Sequence, residues 1–192
     1  SKVLAIGLIL WAIAMGVLIV MLGWQATLTQ MGWFFTKAAL LTFGGAYAVL
    51  PYVYQGAVDH YQWLTATQMI DGLALGETTP GPLIMVVAFV GFVGGWTHQI
   101  LGVDHMLLAG VVAATTVTFF TFLPSFLFIF MGAPFIESTQ GNLKFTAPLT
   151  AITAAVVGVI LSLALFFARH VFLLGKTGFD IDWLAVALSM IA

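Results

Sequence analysis

The chain has 192 residues, of which 62% are hydrophobic and 6% charged, with a net charge of −2 and a mean hydropathy of +1.14. A soluble domain carries about a quarter of its residues charged, so this composition excludes a water-covered globule and indicates an integral membrane protein. The near-neutral charge leaves no footprint for nucleic acid or a basic membrane-surface patch, and the absence of cysteine removes disulfides and thiolate metal sites.

At about 20 residues per crossing, the length predicts about six or seven passes or part-passes in a single transmembrane domain covering residues 1–192. The apolar run Val3 to Leu22 is long enough to span once. Its rival reading is a signal peptide cleaved near Ala12–Ala14, but the run continues past the short apolar core such a peptide has. A loop with Trp24 and Trp33, suited to the interfacial aromatic belt, is expected between Leu22 and Trp33. The next crossing, Phe34 to Leu50, is interrupted by Gly44-Gly45 and bounded by Pro51, and the polar stretch Tyr52 to Gln62 should meet water or headgroups.

A helix start follows. Thr65 fits an N-cap with Gln68 as its capping-box partner, and Leu64 can staple onto Met69. The helix from Ala66 must stop before Pro80, because a residue preceding proline is steered out of the α region. The eleven or so residues to Gly76 rise roughly 17 Å, about half a bilayer. A second half-length helix can begin at Pro82, where the missing N–H costs nothing, and run to about Gly95. The segment therefore reads as a broken helix or re-entrant hairpin. Beyond a polar turn with His98, Asp104 and His105, the run Met106 to Met131 is expected to kink at Pro124. A further span covers Ala147 to Ala168, and a truncated apolar segment closes the chain. Both ends read as cut, which suggests one half of a longer polypeptide.

The break around Pro80-Gly81-Pro82 carries the chemistry. Irregular backbone at membrane depth is tolerated where protein buries it or water reaches it. A helix starting at Pro82 leaves free amides from Gly81 onward, and these with the macrodipole suit an anion. The hydroxyls of Thr78 and Thr79 stand beside them. The other reading is a structural kink capped by those same threonines. Glu77 and Asp71 are intramembrane carboxylates and hence functional candidates. Protonated, Glu77 can donate a hydrogen bond to an oxyanion; ionised, it repels one, which suggests proton coupling. Alternatively it pairs with Lys37 or a backbone donor and holds the break.

Lys37, one turn after Trp33, is expected to snorkel to the interface, and His98 and His105 to be solvated rather than metal ligands. Thr115, Thr118 and Ser125 read mainly as bonded back to their own helix. The pairs Gly72/Gly76 and Gly91/Gly95 match the small-residue packing motif and should bring the two half-helices together.

"FGGAYAVLP" (Phe43 to Pro51), "WLTATQMIDGLALGETTPGPL" (Trp63 to Leu83) and "FVGFVGG" (Phe89 to Gly95) resemble the chromate ion transporter family, closely over Phe34 to Gly95 and beyond that only in hydropathy. Within the resemblance, Gly44, Gly45, Pro80, Gly81 and Pro82 match the family motifs, whereas Glu77 and the threonine pair depart from the short members' pattern. The resemblance implies an all-α, polytopic transmembrane helix bundle with broken or re-entrant half-helices, one half of an inverted-repeat transporter. That half would be the second of a long member, pairing with the other half or with a homologous half as a dimer. It further implies a multi-pass protein of the bacterial inner membrane that exports chromate and confers resistance, without enzymatic activity, cofactor or metal. Sulfate or another oxyanion is the alternative substrate, and a passive anion channel or a non-transporting assembly subunit the alternative role.

Overall fold

The computed structural model describes residues 2–41, 46–79 and 84–139, together with isolated helical positions between 154 and 168. All secondary structure among the described residues is helical: α1 (Lys2–Leu22), α2 (Thr27–Leu41), α3 (Ala46–Tyr54), α4 (Ala66–Thr78), α5 (Met85–Thr97) and α6 (Met106–Thr139). A π-helical turn, Gln55–His60, continues α3, and a 3₁₀ turn, Val103–His105, leads into α6.

Among the described residues, two helices are long and apolar enough to cross a membrane, α1 and the stretch Val103–Gly132. On α1, Ile6, Leu8, Ile9, Ile13, Val17, Val20 and Met21 are all exposed. A helix apolar on every side belongs in hydrocarbon rather than water. The protein is accordingly a helical membrane bundle.

One sequence expectation fails here: the Leu22–Trp33 loop is short, because a turn at Gly23 (φ +85°) is followed by α2 already at Thr27. Tyr52 to Gln62 is mostly helix, with Val53, Tyr54, Gly56 and Ala57 buried, while its polar Gln55, Asp59, His60 and Gln62 are exposed, as groups that meet water or headgroups must be. α6 runs as helix past Pro124 to Thr139. A proline withholds only its own amide, and Ser125 Oγ donates to Thr121 O at 3.3 Å beside it. The loop after Met131, the later polar loops and the terminal apolar segment lie wholly or largely outside the described residues.

The core is built on α2. Met31 and Phe35 are fully buried, and Phe34 nearly so. Phe34 stacks on Tyr52 with ring centres 4.9 Å apart and meets Trp63 edge-on at 5.5 Å. Trp63 stacks in turn on Tyr61 at 4.6 Å. In a bilayer such packing stabilises through dispersion, since lipid tails are as apolar as the side chains. Close helix approach needs missing side chains. A Cβ on Gly95 would stand 2.6 Å from Ala109 O, and one on Gly91 3.0 Å from Ala113 O. These two glycines therefore seat α5 against α6. Gly72, facing the Phe89 ring, works between the half-helices as expected.

Candidate functional site: the α4–α5 break

The capping box at Thr65 forms as read. Thr65 accepts from Gln68 N, and the Gln68 side chain accepts from Thr65 N at 2.9 Å. α4 then runs thirteen residues and stops at Thr79, whose backbone is extended (φ −88°, ψ 123°). The extended backbone is the conformation required before Pro80. Pro80, Gly81 and Pro82, like Gly44 and Gly45, lie outside the described residues. α5 opens at Met85 and also runs thirteen residues. Each helix rises about 20 Å, less than the roughly 30 Å hydrocarbon thickness.

The pairing of Gly72 with Phe89 sets α4 and α5 side by side as an antiparallel hairpin. Their ends meet at the break with opposite polarity: α4 contributes its C-terminal carbonyls and α5 its N-terminal amides. Val87 N is spoken for, donating to Ile84 O at 3.0 Å. Between the hairpin and α6 lies a cavity of about 430 Å³, lined by Gly72, Gly76, Thr79, Met85, Phe89 and Ala114 among others. Thr79 supplies its hydroxyl; most of the wall is apolar.

Thr78 and Thr79 both direct their hydroxyl protons at their own helix. Thr78 Oγ1 donates to Ala74 O at 2.9 Å, and Thr79 Oγ1 to Leu75 O at 2.6 Å. These are back-bonds to carbonyls of the preceding turn, and Leu75 O also accepts from Thr79 N at 3.1 Å. Asp71 and Glu77 are both exposed on α4, Glu77 in its last turn. Thr115 and Ser125 bond back to Val111 O and Thr121 O, the outcome favoured from sequence. His98 is exposed, and its Nδ1 lies 3.1 Å from Gly94 O.

Lys37 reaches back over Trp33, one turn before it, as read from the sequence. Because α2 begins at Thr27, Lys37 stands ten residues into that helix, half-buried, with Nζ 5.8 Å from the centre of the Trp33 ring. It lines a second cavity of about 240 Å³ with Phe34, Tyr52, Gln55, His60 and Tyr61. The early helix start was legible in Thr27 and in the apolar spacing of Leu28, Met31 and Phe35, which the expected loop hid.

The chromate transporter family matches residues 29–192. The chain belongs to this family. The match extends well past the Phe34–Gly95 region in which the motifs lie. Among its relatives, a chromate transport protein of Cupriavidus metallidurans is 32% identical over 74% of this chain and 32% of its own length. A chromate transport protein of Pseudomonas aeruginosa is 39% identical over 65% of this chain and 26% of its own. A probable chromate transport protein of Synechococcus elongatus is 28% identical over 81% and 38%. The chain thus spans between about a quarter and two-fifths of the length of these relatives. No solved structure matches it.

Proposed function

We propose that this chain is a transport unit for chromate, a tetrahedral dianion, and that the oxyanion is held at the α4–α5 break. The single observation that carries the reading is the family match spanning the break, with relatives named as chromate transport proteins. Two short antiparallel helices meeting within the membrane are how many transporters build a substrate seat. The proposed contacts are the backbone at Gly44, Gly45, Pro80, Gly81 and Pro82, the open amides at the start of α5, and the hydroxyls of Thr78 and Thr79. Neutral donors hold an anion without a fixed counter-charge, so release stays possible. Glu77 is the proposed proton-coupling group, with Asp71 as polar lining.

Export from the cytoplasm across a bacterial inner membrane is the proposed direction. A dianion leaving a negative interior gains about 2.3 kcal/mol per charge per 100 mV, roughly 4–5 in all, so the potential alone can drive efflux and give resistance. The chain pairs with the other half of a longer polypeptide or with a homologous half. Uptake of labelled chromate into inside-out vesicles, with sulfate as competitor, tests this. Saturable flux is expected; non-saturating flux means a channel, and no flux of either anion means an assembly role. Equal competition by sulfate makes it a general oxyanion carrier.

A further inference from the structure

Lys37 stands half-buried near the middle of α2. α1 has 21 residues, about 31 Å at 1.5 Å each, one bilayer core. Its tenth residue, Trp11, is therefore at half depth, and Trp11 Nε1 donates to Thr36 Oγ1 at 3.0 Å. Lys37 is the next residue along α2. Its Nζ leans one turn back over Trp33, as helical side chains do, and the Trp33 ring in turn lies 5.9 Å from that of Trp24, just past the end of α1. A lysine at the centre of a membrane helix costs about 2.5–3.5 kcal/mol on insertion scales. A cation–π contact at 5.8 Å, near the outer limit, offsets only part of it.

The lysine faces a chemically consistent cavity. Beside it stand the Tyr52 and Tyr61 rings, the Gln55 amide and the His60 imidazole, every one able to donate a hydrogen bond. No carboxylate lines it among the described residues. One cation ringed by neutral donors selects an anion and repels a cation. At about 30 Å³ per water, the 240 Å³ space holds about eight waters, room for a small oxyanion that keeps part of its hydration shell.

The cavity is also close in depth to the break. α5 runs antiparallel to α6, since Gly91 meets Ala113 and Val117 while Gly95 meets Ala109. Met85, six residues before Gly91, is then about 9 Å further along, level with Phe120. Phe120 packs on Gly32 of α2. The start of α5 thus lies within about two helical turns of Lys37.

We propose that Lys37, with Tyr52, Gln55, His60 and Tyr61, forms a second, cationic station for a tetrahedral oxyanion dianion, separate from the neutral seat at the break. The proposal rests on the transport reading for its choice of anion. A charged station captures the ion and a neutral one lets it go, so the pair divides affinity from release.

The test measures chromate binding to the purified chain by quenching of tryptophan fluorescence and sulfate binding by equilibrium dialysis of the labelled anion, alongside vesicle flux. Chromate absorbs where tryptophan emits, and Trp33 adjoins the lysine. Lys37→Gln should weaken chromate binding at least tenfold and raise the flux KM in parallel, and Lys37→Arg should restore both to within threefold. Gln55→Ala and His60→Ala, both at exposed positions, should each weaken binding threefold or more. Unchanged affinity in Gln55→Ala and His60→Ala overturns the station even where Lys37→Gln does not fold. Wild-type affinity in a folded Lys37→Gln overturns it while leaving chromate transport standing. Lysine-dependent sulfate binding without chromate flux keeps the station and removes the transport reading. Binding of neither anion to the wild type removes both.

Discussion

Trp11 and Thr36 are joined across two helices: the indole Nε1–H donates to Thr36 Oγ1 at 3.0 Å, and Thr36 in turn donates to Gly32 O at 2.7 Å. The relay fixes α1 at one height against α2, and with it the depth of Lys37. Trp11→Phe keeps most of the ring and removes the bond. Interhelical bonds of this kind are worth about 0.6 kcal/mol on average and up to about 1.7. A loss in that range is expected in a denaturation titration in mixed micelles, and none if α1 does not pack on α2.

Glycine substitutions should sort by what faces them. Gly95→Ala sets a methyl 2.5 Å from Ala113 Cβ and 2.6 Å from Ala109 O, where backbone must yield. Overpacking of that sort costs about 1–3 kcal/mol. Gly16→Ala, with nothing within 4 Å, should cost nothing and gain up to about 1 kcal/mol in helix propensity. The two midpoints, measured in the same detergent, are expected to move in opposite directions.

The start of α4 rests on Thr65, whose hydroxyl accepts from Gln68 N and whose backbone N–H donates to the Gln68 side chain. Thr65→Ala should destabilise by about 1 kcal/mol, whereas Thr65→Ser should stay close to the parent. Amide exchange at the first turn of α4 reads this locally, with faster exchange expected in the alanine variant alone.

Thr79 lines the cavity at the break while its hydroxyl serves Leu75 O. If the oxyanion takes over that proton, Thr79→Val loses one hydrogen bond of about 1–1.5 kcal/mol. We expect the chromate KM to rise about five- to tenfold in Thr79→Val and to be retained in Thr79→Ser. An unchanged KM in the valine variant reduces the hydroxyl to a helix cap.

Glu77, in the last turn of α4, is the proposed coupling group. Glu77→Gln should keep chromate binding within about threefold while abolishing any flux driven by a pH gradient at clamped voltage. Full pH-driven flux in this variant makes Glu77 structural.

Where strong local rules acted, the sequence sufficed. The Thr65 cap, the start at Ala66, the stop before Pro80 and the short helix after Pro82 follow from backbone sterics and capping, which do not depend on distant neighbours. Composition alone likewise required a membrane protein, and the motifs around Gly44 and Pro80 carried the family.

What needed the tertiary structure was depth and facing. Gly91 and Gly95 satisfy a packing motif towards any helix; only the assembled bundle points them at α6 instead of α4. The run after Trp24 reads as an interfacial loop until Thr27 starts a helix in it. Tyr52 to Gln62 keeps its polar Gln55, Asp59, His60 and Gln62 exposed, while Tyr52 and Tyr61 pack on Phe34. Local sequence fixes where a helix begins, but a side chain's distance from water is set by which neighbour the helix is packed against, and that is a property of the whole bundle.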